Sequence, residues 1–321
     1  MKTRFIDPLN TFLIICAAFL AYIFPFWVFV LSYVILGPLH YLTEINWLND
    51  RDFFFHKRTR WLWLLGAAVL ISLLVLINQI SPSLLPQSIS AISSSNLILA
   101  AFLSAVVLLY VESKKWAYLI CALVFILAIA LPPLPTIFYL IAAFLPTVLH
   151  VYVFTGLFMI QGAHRNKSKI GYLNVVLLMV LGLLMLVIPP LSNDYFNETT
   201  SAFMVESRFN NLSKLIAQMI PEAGNSYGRI QSFLAFIYSY HYLNWFSKTG
   251  LIRWHESKKW KLVMSILAWI AAIVLYLINF KLGLTVLFSL SLLHVFLEFP
   301  LNIKSIGYIF GNIILKKPLR K

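Results

Sequence analysis

The feature that most limits the fold of this chain is a succession of long apolar runs, separated by short polar segments. Most of these runs are 17 to 25 residues long, and a helix needs about 20 apolar residues to cross about 30 Å of hydrocarbon. Transmembrane strands would alternate apolar and polar residues, and these runs do not alternate. The sequence therefore predicts an all-α, polytopic integral membrane helical bundle.

The apolar runs predict about ten transmembrane spans within a single transmembrane domain, residues 1–321. We place the spans at 11–24, 26–42, 61–80, 95–112, 117–133, 136–160, 171–190, 229–246, 260–279 and 282–300. Pro25 separates the first two runs, and the residues on either side of it form either a tight hairpin of two spans or one kinked element.

The positive charge of the chain is distributed unevenly along these spans. The net charge is +14, and 21 of the 25 Lys and Arg residues fall at the N-terminus, in loops that follow even-numbered spans, or in the C-terminal tail. The positive-inside rule then places both termini in the cytoplasm. The basic residues indicate topology and contact with anionic membrane lipids, so no nucleic-acid partner is expected. The expected location is the bacterial inner membrane.

Four histidines lie inside the predicted spans, and all four occupy the C-terminal halves of even-numbered spans. They are His40, His150, His241 and His294. Each even-numbered span runs towards the cytoplasm, so the four imidazoles are expected at a similar depth. The remaining three, His56, His164 and His255, stand just beyond helix ends among Lys and Arg and are interpreted as interfacial polar residues.

Two glutamates repeat the same spacing from a histidine. Glu44 follows His40 by four residues, and Glu298 follows His294 by four residues. Residues four apart project from one face of a helix, so each pair can reach a common centre. Ionisable groups at membrane depth are costly unless they are paired, solvated or bound to a metal. The pattern favours a metal site over a set of interhelical hydrogen bonds.

The predicted ligands are His40, Glu44, His150, His241, His294 and Glu298, with Glu44 and Glu298 also assigned catalytic roles. Imidazole and carboxylate without thiolate fit non-haem iron best, then zinc or manganese. Cys16 and Cys121 lie in apolar spans and are interpreted as packing residues. The set is larger than one tetrahedral zinc requires, so we expect one or two Fe²⁺ ions, with zinc as the alternative. A bis-histidine haem would leave the two glutamates unexplained.

The segment Pro38-Leu39-His40-Tyr41-Leu42-Thr43-Glu44 resembles the histidine motif of the Brp/Blh membrane carotene-cleaving oxygenases. In that family a histidine follows Gly or Pro and an acidic residue stands one turn later. Here Tyr41 replaces the glycine that usually follows the histidine, and the acid is Glu44. The resemblance implies a polytopic enzyme with iron bound by histidines on several helices, and O₂-dependent chemistry on a lipid-phase substrate such as a carotenoid.

The apolar surroundings of these residues predict a hydrophobic substrate. Aromatic side chains near them are candidates to line a channel for a polyene or acyl chain: Tyr41, Trp47, Tyr238, Tyr240, Tyr242, Trp245, Phe296 and Phe299. Tyr242 and Asn244 are predicted to fix the second nitrogen of a ligating imidazole.

Three functions remain open at this point. The first is a membrane non-haem iron oxygenase that acts on a carotenoid or another long-chain lipid. The second is a zinc-dependent membrane lipid hydrolase. The third is a proton-coupled transporter whose His and Glu side chains form a relay. The sequence does not indicate whether a redox partner is needed.

Overall fold

The computed structural model describes residues 5–50, 60–80, 86, 92–192, 216, 226–248 and 259–315. Every regular element in these ranges is a helix, and no strand occurs in them. The prediction of an all-α chain is confirmed.

Twelve α-helices, with π-helical segments between or after them, make up the described part of the chain. In chain order they are α1 (Ile6–Ile23), α2 (Pro25–Leu31), the π-helical segment Ser32–Leu36, α3 (Gly37–Asp50), α4 (Trp61–Ile80), α5 (Ser94–Tyr110), α6 (Lys114–Ala130), α7 (Thr136–Phe144), the π-helical segment Leu145–Phe154, α8 (Thr155–Asn166), α9 (Lys169–Val187), α10 (Ser226–Ser247), α11 (Lys259–Ile278), α12 (Phe280–Tyr308) and the π-helical segment Ile309–Ile314.

Seven helical stretches in the described residues are long and apolar enough to cross a membrane. They are Ile6–Ile23, Pro25–Leu48, Trp61–Asn78, Thr136–Asn166, Lys169–Val187, Lys259–Ile278 and Leu282–Ile314. Helices also occupy the other three predicted ranges, as α5, α6 and α10. The chain is a multi-pass helical membrane protein, while the count of ten spans and the cytoplasmic termini stay predictions.

The chain leaves the helical conformation at Phe24, between α1 and α2. Phe24 has φ −127° and ψ 60°, outside the helical region, and Pro25 is the first residue of α2. Proline is favourable at the start of a helix because its fixed φ suits the first turn and its missing N–H is not needed there. The first two predicted spans are therefore two separate helices.

The chain divides into two compact units. Unit 1 comprises Met1–His40, Thr147–Lys258 and Lys304–Lys321, and unit 2 comprises Tyr41–Pro146 and Lys259–Ile303. The organisation of residues 1–321 as a single domain stays a prediction.

In unit 1, α10 is the central helix and packs against α1, α2 and α9. Most of its side chains are buried, although serine, tyrosine and glutamine make it the least apolar of the long helices. Some of its hydroxyl groups find partners locally, as Ser239 Oγ donates to the Phe236 carbonyl at 3.1 Å. Such bonds remove the cost of burying these polar groups.

A second set of polar contacts in unit 1 joins α1 to the start of α9. The Ser168 hydroxyl donates to the Asp7 carboxylate at 2.5 Å, and the Thr11 hydroxyl donates to Asn174 Oδ1 at 2.6 Å. The Asn174 amide in turn donates to the Asp7 carbonyl at 2.8 Å. These bonds fix the ends of both helices at the same depth.

In unit 2, α5 packs against α4, α6 and α7. Arg60 closes the C-terminal end of α5, because its guanidinium donates to the carbonyls of Leu108, Val111 and Glu112 at 2.6 to 2.8 Å. A cation at this end of a helix is also favoured by the helix dipole. The buried Arg60 guanidinium thus donates to carbonyl groups that have no hydrogen-bond donor within the helix.

The predicted topology has a direct test. A reporter fused after Lys321 and a tag inserted near Ser168 are both expected to lie in the cytoplasm, because each follows an even-numbered predicted span. Accessibility of the tags to a membrane-impermeant label in intact and permeabilised cells measures this. Labelling of either tag in intact cells would contradict the topology.

Candidate metal centre

Unit 1 brings three of the four predicted histidines together. They come from separate parts of the chain: His40 lies on α3, His150 on the π-helical segment Leu145–Phe154, and His241 on α10. The ring centroids of His40 and His241 are 4.7 Å apart, and those of His150 and His241 are 5.1 Å apart. The three side chains are at most 8% exposed. His241 therefore lies at the centre of a buried three-histidine cluster.

Two nitrogen atoms of this cluster have the spacing of metal ligands. His241 Nε2 and His40 Nε2 are 3.1 Å apart. Two nitrogens at about 2.0 to 2.1 Å from one ion are separated by about 2.9 to 3.4 Å when the angle at the ion is about 90° to 109°. The observed distance also fits a hydrogen bond between two neutral rings, which is the structural alternative.

Thr155 fixes the second nitrogen of His241. Its Oγ1 lies 2.7 Å from His241 Nδ1. If Nδ1 carries the proton and donates to Thr155, the lone pair of Nε2 faces His40 and is available to a metal, and ligating imidazoles are commonly oriented in this way. The sequence predicted Tyr242 and Asn244 for this role, but the partner of Nδ1 is Thr155.

Replacing Thr155 with valine tests whether this contact orients a ligand. Thr155→Val keeps the shape of the side chain but removes the hydroxyl, and we expect the metal affinity of the protein to fall about 10- to 100-fold. Thr155→Ser keeps the hydroxyl and is the matched control. The measurement is the metal retained by each purified variant against a graded series of chelator concentrations. Equal retention by the two variants would contradict the role assigned to Thr155.

Aromatic rings from α10 and from the π-helical segment Ser32–Leu36 lie on one side of the histidine cluster. The rings of Tyr242 and Trp245 lie 5.1 and 5.4 Å from the ring of His40. Tyr238 contacts Tyr242 at 6.1 Å and Tyr33 at 6.2 Å, so the aromatic contacts continue away from the cluster. A wall of this kind excludes water from the histidines.

Tyr240 does not belong to this wall, although the sequence grouped it with the other aromatic residues. Its hydroxyl donates to Asn10 Oδ1 at 3.2 Å and contacts Met159 Sδ at 3.4 Å. Adjacent residues of a helix are rotated by about 100°, so Tyr240 and His241 leave α10 in different directions. Tyr240 packs α10 against α1 and α8.

Unit 2 brings together the remaining three predicted ligands. Glu44 lies on α3, and His294 and Glu298 lie one turn apart on α12. The carboxyl groups of Glu44 and Glu298 lie within hydrogen-bonding range of each other. A ring nitrogen of His294 lies within 4.8 Å of a carboxylate oxygen of Glu298. All three side chains are at most 3% exposed.

This carboxyl pair is suited either to a shared proton or to a cation. A hydrogen bond between two carboxyl groups needs a proton between them, and a divalent ion in that place would replace the proton and bind both oxygens. The ring of Tyr41 stacks on the ring of His294, with centroids 4.2 Å apart and an angle of 22° between planes. This stacking fixes the plane in which the His294 nitrogens lie.

Asn302 extends the polar face of α12 and was not singled out from the sequence. It follows Glu298 by four residues, as Glu298 follows His294, so the three lie near one face of the helix. Its side chain is completely buried. Neither amide atom has a hydrogen-bond partner in the described part of the chain. The repeated spacing of four was the signal that could have identified it.

Proline residues lie within the helical segments close to the candidate ligands. Pro38 lies two residues before His40, Pro146 four residues before His150, and Pro300 two residues after Glu298. Two of the three histidines in unit 1 also lie in or just after a π-helical segment. Such segments are rare and often occur at functional sites, because they redirect side chains within a helix.

The structure thus places His40, His150 and His241 together in unit 1, and Glu44, His294 and Glu298 together in unit 2. The prediction that all six residues bind within one centre involves residues of both units and stays a prediction. Of the other histidines, His164 contacts Tyr308, with Nδ1 and the hydroxyl 3.0 Å apart. His56 and His255 lie outside the described residues.

Comparison with known proteins finds no relative of this chain. No protein family model, no curated protein and no solved structure matches the chain.

Proposed function

We propose that this chain is a membrane-embedded non-haem iron oxygenase that acts on a hydrophobic substrate from the lipid phase, such as a carotenoid or an acyl lipid. The observation that carries the proposal is the buried three-histidine cluster of unit 1, in which Nε2 of His40 and Nε2 of His241 are 3.1 Å apart. The bacterial inner membrane is the location we propose for it.

The donor atoms present fit iron better than a soft metal. The cluster of unit 1 offers three imidazoles, and the set of unit 2 offers one imidazole and two carboxyl groups. Neither set includes a cysteine. Cys16 is half-buried on α1, and Cys121 on α6 packs against α5, with its Sγ 3.9 Å from the Ser104 carbonyl. Imidazole and carboxylate donors suit iron, zinc and manganese. We assign His40 and His241 to hold an ion in unit 1, with the His150 ring next to that of His241.

Iron bound by such residues supplies the activation of dioxygen that the oxidation of an unreactive hydrocarbon requires. The protein supplies the rest of the chemistry. When Nδ1 of His241 donates to Thr155, Nε2 is available to the ion, and the rings of Tyr242 and Trp245 shield His40 from water. Glu44 and Glu298 can hold either a cation or a proton at the place where their carboxyl groups meet.

Dioxygenase cleavage is the reaction that needs the fewest partners. One carbon–carbon double bond and one O₂ molecule become two carbonyl groups, so both oxygen atoms enter the products and no external reductant is consumed. Hydroxylation of an acyl chain would instead require two electrons from a redox partner. The aromatic side chains of Tyr33, Tyr238 and Tyr242 make this part of unit 1 apolar, which suits a hydrophobic substrate such as a polyene.

Metal analysis of the purified protein tests the proposal. We expect one to two iron ions per chain, because each set of donors is large enough to hold one. Oxygen consumption with a carotenoid in detergent, and the incorporation of both atoms of labelled O₂ into carbonyl products, would then identify the reaction. Zinc in place of iron would instead favour a lipid hydrolase. A protein without metal would favour the proton relay of a transporter.

A further inference from the structure

A basic cavity lies at the junction of α8 and α9 in unit 1, away from the histidine cluster. Its volume is about 410 Å³, and its lining residues are His164, Arg165, Lys167, Lys169, Tyr172 and Tyr308. The three Lys and Arg side chains are exposed. No acidic residue occurs among the lining residues that the structure describes. The cavity therefore has the charge and size for a small anionic group.

Neighbouring contacts hold several of these residues in place. The Arg165 guanidinium lies over the ring of Tyr308, 4.7 Å from its centroid, and the hydroxyl of Tyr308 contacts His164 Nδ1 at 3.0 Å. Lys167 has a φ of 50°, and its N–H donates to the His164 carbonyl at 3.3 Å. This tight turn between two helices brings Arg165, Lys167 and Lys169 to one place, since a continuous helix would distribute them around its circumference.

The surrounding backbone and charges also favour an anion. Lys169 is the first residue of α9, a helix of 19 residues, and helix N-termini attract negative groups. Asp7 is a nearby acid, whose carboxylate accepts a hydrogen bond from the Ser168 hydroxyl. One negative charge beside the three positive charges of the cavity leaves the region positively charged.

The position of the cavity indicates the source of the anion. It lies where two stretches capable of crossing the membrane, Thr136–Asn166 and Lys169–Val187, meet. From this end of α9 a row of exposed apolar side chains, Ile170, Leu173 and Val176, runs along the helix. An anionic phospholipid can place its phosphate in the cavity and its acyl chains along this row, whereas a free phosphate would use only the cavity.

We propose that this cavity is a binding site for the phosphate headgroup of an anionic glycerophospholipid. Basic pockets between transmembrane helices at the membrane surface are suited to such headgroups. The site does not depend on the metal centre, and its ligand would remain bound to a protein that has lost its metal.

Native mass spectrometry of the full-length protein in detergent, titrated with phosphatidylglycerol or phosphatidylcholine, tests the site. The wild-type protein is expected to retain one phosphatidylglycerol in preference to phosphatidylcholine. Arg165→Gln combined with Lys167→Asn removes two charges, and asparagine tolerates the positive φ at position 167. We expect this variant to bind phosphatidylglycerol about 30-fold more weakly, as two lost cations predict.

Lys114→Gln combined with Lys115→Gln is the matched control. It removes two exposed lysines from the start of another helix, α6, and is expected to leave lipid binding unchanged. Equal weakening in the two double variants, or no preference for phosphatidylglycerol in the wild-type protein, would overturn the proposal. Displacement of the lipid by millimolar inorganic phosphate would assign the cavity to free phosphate instead.

Two single variants keep the test decisive if the double variant does not fold. Lys167→Asn alone changes an exposed residue and is expected to weaken phosphatidylglycerol binding about fivefold, while Arg165→Lys keeps the charge and is expected to bind normally. Unchanged binding in Lys167→Asn would overturn the site.

Discussion

Replacing His241 with asparagine is expected to remove most of the metal bound in unit 1. The asparagine amide can still reach the Thr155 hydroxyl, which lies 2.7 Å from Nδ1 in the native protein. It has no nitrogen at the position of Nε2, the atom 3.1 Å from His40 Nε2. The variant therefore keeps the local hydrogen bond and loses the central ligand. We expect metal affinity to fall at least about 100-fold, because a site that loses a direct ligand is affected at least as strongly as one that loses an outer partner.

The measurement is the iron and zinc content of the purified variant after equilibration with a fixed concentration of chelator. His164→Ala is the control, because this histidine is also hydrogen-bonded but lies at the end of α8, against Tyr308. If His241 serves only a structural role, both variants will bind as much metal as the wild-type protein, and the 3.1 Å contact will be a hydrogen bond between two imidazoles.

Changing Glu298 to glutamine is expected to have the second largest effect, this time in unit 2. Glutamine has the size of glutamate and still forms a hydrogen bond with Glu44, so a carboxyl pair that only shares a proton would tolerate the change. A cation held between the two groups needs their negative charge, and a neutral amide replaces that charge poorly. We therefore expect Glu298→Gln to abolish activity and lower metal binding about tenfold or more.

Thermal unfolding separates this effect from a loss of structure. Glu298→Gln is expected to unfold within a few degrees of the wild-type protein, because hydrogen bonding and packing are largely kept. Glu44→Gln should behave in the same way, since the two carboxyl groups contact each other. Glu112→Gln changes an exposed glutamate at the end of α5 and is the matched control. Full metal content and activity in Glu298→Gln would show that the pair is a structural hydrogen bond.

Much of the helical fold could be predicted because it depends on hydropathy. Helices occupy all ten predicted ranges, and Pro25 begins a new helix as its fixed φ requires. Hydropathy does not explain the burial of α10, which is the least apolar of the long helices. Its serines and tyrosines lower its hydropathy, yet they are buried, and the hydroxyl groups of Ser239 and Tyr240 bond to a nearby carbonyl and a side chain. Amino-acid composition alone does not reveal these local hydrogen bonds.

The grouping of His40, His150 and His241 was predicted from their positions in even-numbered spans, and the structure places these three rings together. Thr155 was not predicted, because its contact with His241 joins residues 86 positions apart and threonine is common on membrane helices. Tyr240 was placed near the histidines because it is adjacent to His241 in sequence. Its side chain faces α1 instead, since neighbouring residues leave a helix in different directions.

The π-helical segments Ser32–Leu36 and Leu145–Phe154 have a consequence for the angular phase of the helices that contain them. A π-turn holds one more residue than an α-turn, so each segment contains an extra residue but is hardly longer than the α-helical turn it replaces. Each residue of an α-helix turns the chain by about 100°. If Ser32–Leu36 formed a regular α-helix with the same number of residues, the azimuth of His40 relative to α2 would therefore turn by about that angle. The apolar length of the span would hardly change, so a chain with the same hydropathy profile would point this imidazole elsewhere.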